Sequence, residues 1–217
     1  MKVAALYDVH GMPWALEAVL AEVERERVDA VVFGGDLVAG PYPVETIVLA
    51  RAVPNASFVR GNAEREADER IVAKLGAAEA DTERRWPAQI TLDGVLYCHA
   101  TPESDEVMVT DASTDEKIAG LLAGVEARLV VGGHTHMQQH RGAYVNAGSI
   151  GMPYEGEVAA FWLVVDDGDP SFRKTPFDVD AAVEALRASD WPGAESFVDE
   201  NLRRAVTRDE AIAAFGG

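Results

Sequence analysis

The chain is poor in several things at once. Cys98 is the only cysteine among 217 residues, so an intrachain disulfide framework is excluded. Basic residues are scarce: 19 Lys and Arg stand against 37 Asp and Glu, a formal charge of −18. That deficit excludes the basic face needed for non-specific binding to nucleic acid or to an anionic membrane. Most of the carboxylates serve to keep the surface solvated. Long apolar runs are missing too. The N-terminal stretch "MKVAALYDVHG" is apolar only as far as Asp8. It is too short for the apolar region of a signal peptide and far too short to span a bilayer, so a cytoplasmic protein without a membrane partner is expected. Histidine is sparse as well, five in all, and two of them stand one residue apart in "VVGGHTH" (130–136). Against these shortages, 48% of the residues are hydrophobic, enough for a chain of this length to bury a full core.

Strands and helices alternate through the first half. "KVAALY" (2–7) is a short apolar run that reads as a buried strand. Pro13 can open the following helix, because its missing N–H is one a first turn leaves unpaired. Leu16, Val19, Leu20 and Val23 then recur at helical spacing. "DAVVFGGD" (29–36) is a second strand, residues 44–53 suit a helix, and "ASFVRGN" (56–62) is a third strand. This order implies a parallel sheet covered by helices. In the second half, "QITLDGVLYCH" (89–99) reads as a hairpin about Asp93-Gly94. Residues 114–123 suit a helix and 127–133 a strand. Segments 142–149, 158–167 and 171–177 add expected antiparallel strands, the last two joined by a turn at 166–170. From 178 the pattern is helical, with Asp180, Pro192-Gly193 and Thr207 as candidate caps or breaks. No repeat or long linker interrupts the chain. One domain over 1–217 is expected, its helical tail (about 178–217) packed on the same core.

Polar residues gather just past the expected strands. The first strand is followed by Asp8 and His10, the second by Asp36, the third by Asn62. The hairpin ends at His99, and the next strand is followed by His134 and His136. Taken singly, each is an ordinary turn, cap or core histidine. Together they place four of five histidines beyond strand ends, where open α/β sheets bind their ligands, and that joint pattern points to one metal site. Imidazole and carboxylate without thiolate suit Zn, Mn, Fe, Co or Ni better than Ca or Mg. Seven ligands exceed the four of a single zinc. They suit two divalent metal ions sharing a carboxylate about 3.5–4 Å apart, an arrangement that can clamp both oxygens of a phosphoryl displacement.

The ordered set Asp8-Val9-His10, Gly35-Asp36, Gly61-Asn62, His99 and Gly133-His134-Thr135-His136 resembles the calcineurin-like metallophosphoesterases, whose pattern is D-x-H, G-D, G-N-H-[DE], H and G-H-x-H. "NAGS" (146–149) resembles the N-x-G-S of the small bacterial and archaeal members. The resemblance covers roughly residues 2–165. It implies an α/β fold, a four-layer αββα sandwich of two mixed β-sheets flanked by helices. By the same resemblance Asp36 bridges two metals. Asp8, His10 and His136 complete the first site, and Asn62, His99 and His134 the second. Asp36, Asn62 and His99 are the expected catalytic residues, and a metal-bridging hydroxide is the expected nucleophile.

The chain departs from the family pattern at Ala63, where "RGNAER" lacks the histidine after G-N. "GDLVAGPYP" also lacks the Asp and Arg of the protein-phosphatase branch. The small phosphodiesterase-like branch is therefore the nearer resemblance, and a small phosphate ester, most simply a diester, is the expected substrate. A phosphomonoesterase or protein phosphatase is the alternative enzyme. A non-catalytic scaffold of the same fold, or a protein that only holds a phosphate ligand, stands outside enzymology, and a homo-oligomer is compatible with each. Cys98 is expected in the core and His140 carries no expected role. Arg60 and Arg65 could reach a phosphate or pair with a nearby Glu, and Tyr42, Met152 and Tyr154 are candidate pocket residues.

Overall fold

The computed structural model describes residues 1–215, so Gly216 and Gly217 at the end of the expected tail lie outside it. The chain opens with β1 (Lys2–Leu6), α1 (Pro13–Glu26), β2 (Ala30–Phe33), α2 (Pro43–Arg51) and β3 (Ala56–Phe58). Three short helices follow: α3 (Asn62–Glu66), α4 (Glu69–Leu75) and α5 (Ala77–Arg84). The second half contains β4 (Gln89–Leu92), β5 (Val95–Cys98), α6 (Asp115–Leu121), β6 (Leu129–Gly132), β7 (Gln139–Arg141) and β8 (Tyr144–Asn146). It ends with β9 (Ala160–Asp166), β10 (Asp169–Thr175), α7 (Val179–Ala188), α8 (Ala194–Phe197), a π-helical turn (Val198–Leu202) and α9 (Arg208–Ala214).

The strands form two mixed five-stranded sheets, ordered β10-β9-β1-β2-β3 and β4-β5-β6-β8-β7. Alternation along the strands sorts the core into layers, because successive side chains point to opposite faces. Val3, Ala5, Tyr7, Val32, Leu163 and Val165 of the first sheet pack against Val95, Tyr97, Leu129, Val131 and Val145 of the second. The opposite face of the first sheet, through Ala4, Leu6, Val31 and Trp162, meets Leu16 and Val19 of α1, Ile47 of α2 and Val183 and Leu186 of α7. The outer face of the second sheet carries Cys98, Val130 and Tyr144 against Ile118 of α6. The result is the expected α/β sandwich of two facing sheets flanked by helices. Cys98 sits in that outer core layer, where burial pushes its thiol up to about 12.

Topology fixes where the site must be. β1, β2 and β3 run parallel to one another, as do β5, β6 and β8. The C-terminal ends of both parallel sets therefore deliver their loops to the seam between the sheets.

Several local features match the sequence. Pro13 starts α1, and the β4–β5 hairpin turns on Asp93-Gly94, both at positive φ (49° and 73°), as a two-residue hairpin turn requires. Thr207 caps α9 in a reciprocal capping box with Glu210. Others differ. The helix at 179–188 is capped by Asp178, whose carboxylate accepts from Ala181 N, and Asp180 lies inside its first turn. The strand expected over 142–149 is confined to β8. It pairs parallel with β6 and antiparallel with β7, a strand the sequence reading did not assign. The helix expected over 193–206 breaks into α8 and the π-helical turn. Residues 62–84 show no helical pattern in the sequence, because α3, α4 and α5 are short and each buries only one or two residues, too few to print a period.

The tail docks on the body through the α7 residues above and through Val198 and Leu202, all buried in the same core layer. Arg208 of α9 ties it further, pairing with Asp111 at 2.7 Å and Glu155 at 2.8 Å. Among the described residues no helix is long and apolar enough to cross a membrane.

Leu163 and Phe172 are register partners on β9 and β10, yet Leu163 is fully buried between the sheets and Phe172, on the edge strand, is 42% exposed. Leu163→Ala is expected to lower the unfolding free energy by about 2–5 kcal/mol. Phe172→Ala should change it by no more than about 0.5 kcal/mol. Urea titration of the two variants checks the contrast.

Candidate metal centre

All seven candidate residues arrive at the seam from strand ends. Asp8 and His10 follow β1, Asp36 follows β2, Asn62 opens α3 after β3, His99 follows β5, and His134 and His136 follow β6. Five of them, Asp8, His10, Asp36, His134 and His136, hold left-handed backbone conformations with φ between 49° and 67°. Such conformations are uncommon for residues with a Cβ and cluster where the surrounding structure imposes a geometry.

Two groups form side by side. Asp8, His10 and His136 place one ligand atom each within 4.8 Å of one another, and so do Asp36, His99 and His134. Asp36 faces both groups: its Oδ2 lies 3.9 Å from His10 Nε2 and its Oδ1 3.6 Å from His99 Nε2. Asp8 Oδ1 lies 3.5 Å from His136 Nε2 and 4.0 Å from His99 Nε2. Asn62 joins the second group through its Oδ1, 3.0 Å from His99 Nε2.

Backbone carbonyls orient three of the imidazoles. His10 Nδ1 sits 3.1 Å from Ala39 O, His99 Nδ1 3.0 Å from Gly34 O, and His136 Nδ1 2.7 Å from Met152 O. A carbonyl only accepts, so each Nδ1 carries the proton and each Nε2 turns its lone pair inward, the arrangement that orients metal-bound histidine. The two lone pairs of His10 and His136 then face each other at 3.1 Å. His99 Nε2 meets the Asn62 oxygen, an acceptor that is satisfied by a proton on this nitrogen or by a cation between the two. Asp8 Oδ1 and His134 Nε2 are buried with no hydrogen-bond partner among the described residues. Acceptors facing acceptors across a buried gap need a cation between them. The residues present therefore fit metal ions.

The ionisation of Asp8, His10 and His134 agrees with this. Burial opposes the charge on Asp8, but His136, His99 and His10 outweigh it and hold the carboxyl well below the usual carboxylate range. Burial lowers His10, and the neighbouring His136 lowers it further. Burial, then His99, lowers His134. His99 goes the other way, because the Asp36 and Asp8 carboxylates overcome its burial. Neutral imidazoles and ionised carboxylates are the forms that bind metal.

Further residues hold the loops in place. Glu64, the acidic member of the Gly-Asn loop, is 3% exposed. Its carboxylate accepts backbone N–H bonds from Asp36 (2.9 Å), Leu37 (2.8 Å) and Gly61 (2.8 Å), tying the second and third strand ends together. Burial and the Asp36 charge push it up to about 7, opposed by these N–H bonds. The sequence showed an acid at this position without its purpose. Asn146 donates to Gly133 O and to Thr135 Oγ1, and Ser149 donates to Asp8 O, so "NAGS" locks the His134–His136 loop against β1. Gly133 is needed for space, since a Cβ there would sit 2.5 Å from Asp8 Oδ2.

The remaining candidates divide. Tyr154 stacks on His136 with ring centroids 4.8 Å apart and is packed in turn by Phe215 of the tail, and Met152 contributes its carbonyl to His136. Tyr42 is elsewhere, its ring against Trp14 and its hydroxyl donating to Ala185 O. Arg65 is engaged by Asp105 and Glu106, and Arg60 donates to Arg84 O. His140 is exposed, and its ring bonds Gly142 O.

Residues 1–167 match the model of the calcineurin-like phosphoesterase superfamily domain. The chain belongs to this family. Its members are metal-dependent phosphoesterases, and the two His/Asp groups above could each hold a metal ion. Among solved structures, the chain is similar to a metallophosphoesterase from Sphaerobacter thermophilus. That match has 24% identity and a TM-score of 0.79, and covers 95% of this chain and 99% of that one. A hypothetical protein from Pyrococcus horikoshii OT3 shares 18% identity with a TM-score of 0.79, over 91% of this chain and 96% of that one. Zinc-complexed Vps29 from Entamoeba histolytica shares 16% identity with a TM-score of 0.51, over 82% of this chain and 100% of that one. At these identities the likeness is one of fold. No curated protein matches the chain.

Glu64 supplies a direct check on how the centre is held. Glu64→Gln replaces one acceptor oxygen by an amide NH₂ that faces backbone donors, which costs about 1–3 kcal/mol. The metal-free variant is expected to unfold at correspondingly lower urea concentration than the metal-free parent, a loss that belongs to the scaffold and precedes any effect on metal.

Proposed function

We propose that this chain is a two-metal phosphoesterase that acts on small phosphodiesters. The observation that carries the reading is the placing of Asp36 between the two ligand groups, one oxygen toward His10 and the other toward His99. In this reading Asp36 would be shared by two divalent ions, Asp8, His10 and His136 would complete one site, and Asn62, His99 and His134 would complete the other. Mn, Zn, Fe, Co and Ni all suit this donor set. The ions, when bound, lower the pKa of a water and stabilise charge on the phosphoryl oxygens.

The chain's own residues do the rest. The carbonyls of Ala39, Gly34 and Met152 fix the imidazole rings so that their Nε2 atoms converge without reorganisation. Ala63 N–H donates to Asp36 Oδ1 at 2.9 Å and keeps the shared carboxylate from rotating. Tyr154 covers one face of His136 and limits the access of water to it. Asp8 and Asp36 bring negative charge, which repels a phosphate until cations balance it.

Ala63 shapes the substrate preference. Cleaving an ester with a poor alkoxide leaving group calls for a proton at the leaving oxygen, and a positioned acid contributes about 10²–10⁴-fold. Ala63 brings only a methyl group, and Glu64 beside it is committed to backbone N–H bonds. Esters whose leaving group needs no proton are therefore favoured, which is the basis for preferring diesters over alkyl monoesters. Cytoplasmic residence accords with this chemistry and is part of the same proposal.

Metal-loaded protein is expected to hydrolyse an aryl phosphodiester. Asp36→Asn should lower metal content at both sites and turnover by roughly 100-fold or more. His136→Ala should empty mainly the first site and His134→Ala the second, as read by anomalous scattering. Two full metals with near-parental turnover in Asp36→Asn would sink the dinuclear reading.

Specificity is tested with a matched substrate pair. The parent protein should show a higher kcat/KM on an aryl phosphodiester than on an alkyl phosphomonoester such as phosphoserine. Ala63→His should narrow the gap by raising the monoester rate. A parent that prefers the alkyl monoester would overturn this account of the loop.

A further inference from the structure

A recess of about 210 Å³ opens beside the metal centre, between Asn62 and Ala63 on one side and Glu83 of α5 on the other, with Val38, Ile71 and Val72 among its walls. It begins at a proposed metal ligand, so a group attached to a bound phosphate can extend into it. Ala63 leaves this passage open because it contributes no more than a methyl group.

The chemistry of the lining is lopsided. Aliphatic side chains make up most of the wall, the charged residues along it are all acidic, and no Lys, Arg or His lines it. Glu83 is 2% exposed, and its Oε1 has no hydrogen-bond partner among the described residues. Asp68, by contrast, is already paired with Arg70, and Glu64 with backbone N–H groups. Burial, then the charges of Glu64 and Glu79, push Glu83 up to about 8. A buried carboxyl group without a donor is costly, and native structures rarely keep one without a partner.

We propose that this recess is a substrate subsite for a short aminoalkyl group, with Glu83 binding its ammonium. The inference rests on the phosphoesterase reading, and it names the class of ester: a phosphodiester of an amino alcohol. An ammonium offers three donors to a carboxyl group whose Oε1 lacks one, and its charge favours the ionised form that burial disfavours; the methylenes beside it suit the aliphatic walls. A bare divalent cation fits less well, because the other acids of the lining are already engaged, Asp68 by Arg70, Glu66 by Arg65 and Glu64 by backbone N–H groups, which leaves too few free oxygens for its coordination shell. A positive charge on the substrate also offsets the repulsion between a phosphate and a chain of formal charge −18.

Binding is measured by titration calorimetry on the metal-loaded, full-length protein with two phosphinates, which have no ester bond to hydrolyse. The probes are 2-aminoethyl(methyl)phosphinate and methyl(propyl)phosphinate, which differ in the charge at the end of the arm. The parent should bind the amine about 10-fold more tightly. Glu83→Gln should bring the two affinities together, with little change for the propyl ligand. Val72→Phe, which narrows the recess from a partly exposed wall, should weaken both ligands relative to dimethylphosphinate and covers the case in which Glu83→Gln fails to fold. Equal affinities in the parent, or a gap that survives Glu83→Gln, would overturn the subsite. The two readings fail separately. An amine preference without turnover on any phosphodiester would remove the phosphoesterase reading and leave the subsite. Turnover without an amine preference would do the reverse.

Discussion

Everything in this molecule answers to one electrostatic conflict: two carboxylates and four imidazoles held together out of water with their acceptor atoms facing inward. The 3.1 Å contact between His10 Nε2 and His136 Nε2 is its clearest expression. Packing alone would not bring these groups together, since each loses hydration on burial and the facing nitrogens of His10 and His136 supply no donor to each other. The arrangement persists because the rest of the fold over-determines it. The carbonyls behind the rings, the N–H groups behind the carboxylates and the rigid strand ends beneath both leave these side chains little freedom. Such pre-organisation is useful only if a cation resolves the conflict, and that is why the geometry speaks for metal more directly than any single residue does.

The scaffold meets this demand by joining two sheets at their productive ends. Each parallel set sends its loops to the same seam, and the interlocking of Val3, Ala5 and Tyr7 with Tyr97 and Val131 fixes the distance between them. Tyr7 links core and site, for its hydroxyl donates to Val131 O at 3.0 Å while the next residue is Asp8. Glu64 performs the equivalent task inside the first sheet by binding backbone N–H groups from two successive strand ends. The acid that gives this chain its large negative charge is thus not all surface decoration. Asp8, Asp36, Glu64 and Glu83 are buried, and at each of them the surroundings decide what the carboxyl does.

Much of this was legible in the sequence, and the reasons are physical. A buried parallel strand reads as an apolar run, and a ligand at its end reads as a polar residue just past that run, so the seven convergent positions could be listed from their places past "VAALY", "VVFGG", "SFVRG", "GVLYC" and "LVVGG". The hairpin at Asp93-Gly94 was visible because few dipeptides accept two positive φ values. What stayed hidden depends on partners distant in the chain. Residues 62–84 form helices whose exposed faces outweigh their buried ones, so no apolar period announces them. The parallel pairing of β8 depends on the unassigned β7 and on the position of β6. Glu64 and Asn146 look like ordinary polar loop residues until the backbone groups they bind are seen, and the recess near Glu83 exists only once α3 and α5 are folded against each other.

The two halves of the proposed chemistry place opposite demands on charge, and the structure keeps them apart in space. At the seam, two carboxylates bring two negative charges and two divalent ions would bring four positive ones, so metal loading turns a region that repels phosphate into one that attracts it. Beyond Asn62 the lining is acidic again and contains no cation of its own. A ligand that is negative throughout would be drawn to the first region and turned away by the second. A ligand that is negative at the phosphate and positive a few bonds farther along satisfies both, and the aliphatic wall between the two regions spaces its charges. In this reading, charge separation along the site sets selectivity, and the chain's overall negative charge discourages anions that lack a compensating positive end.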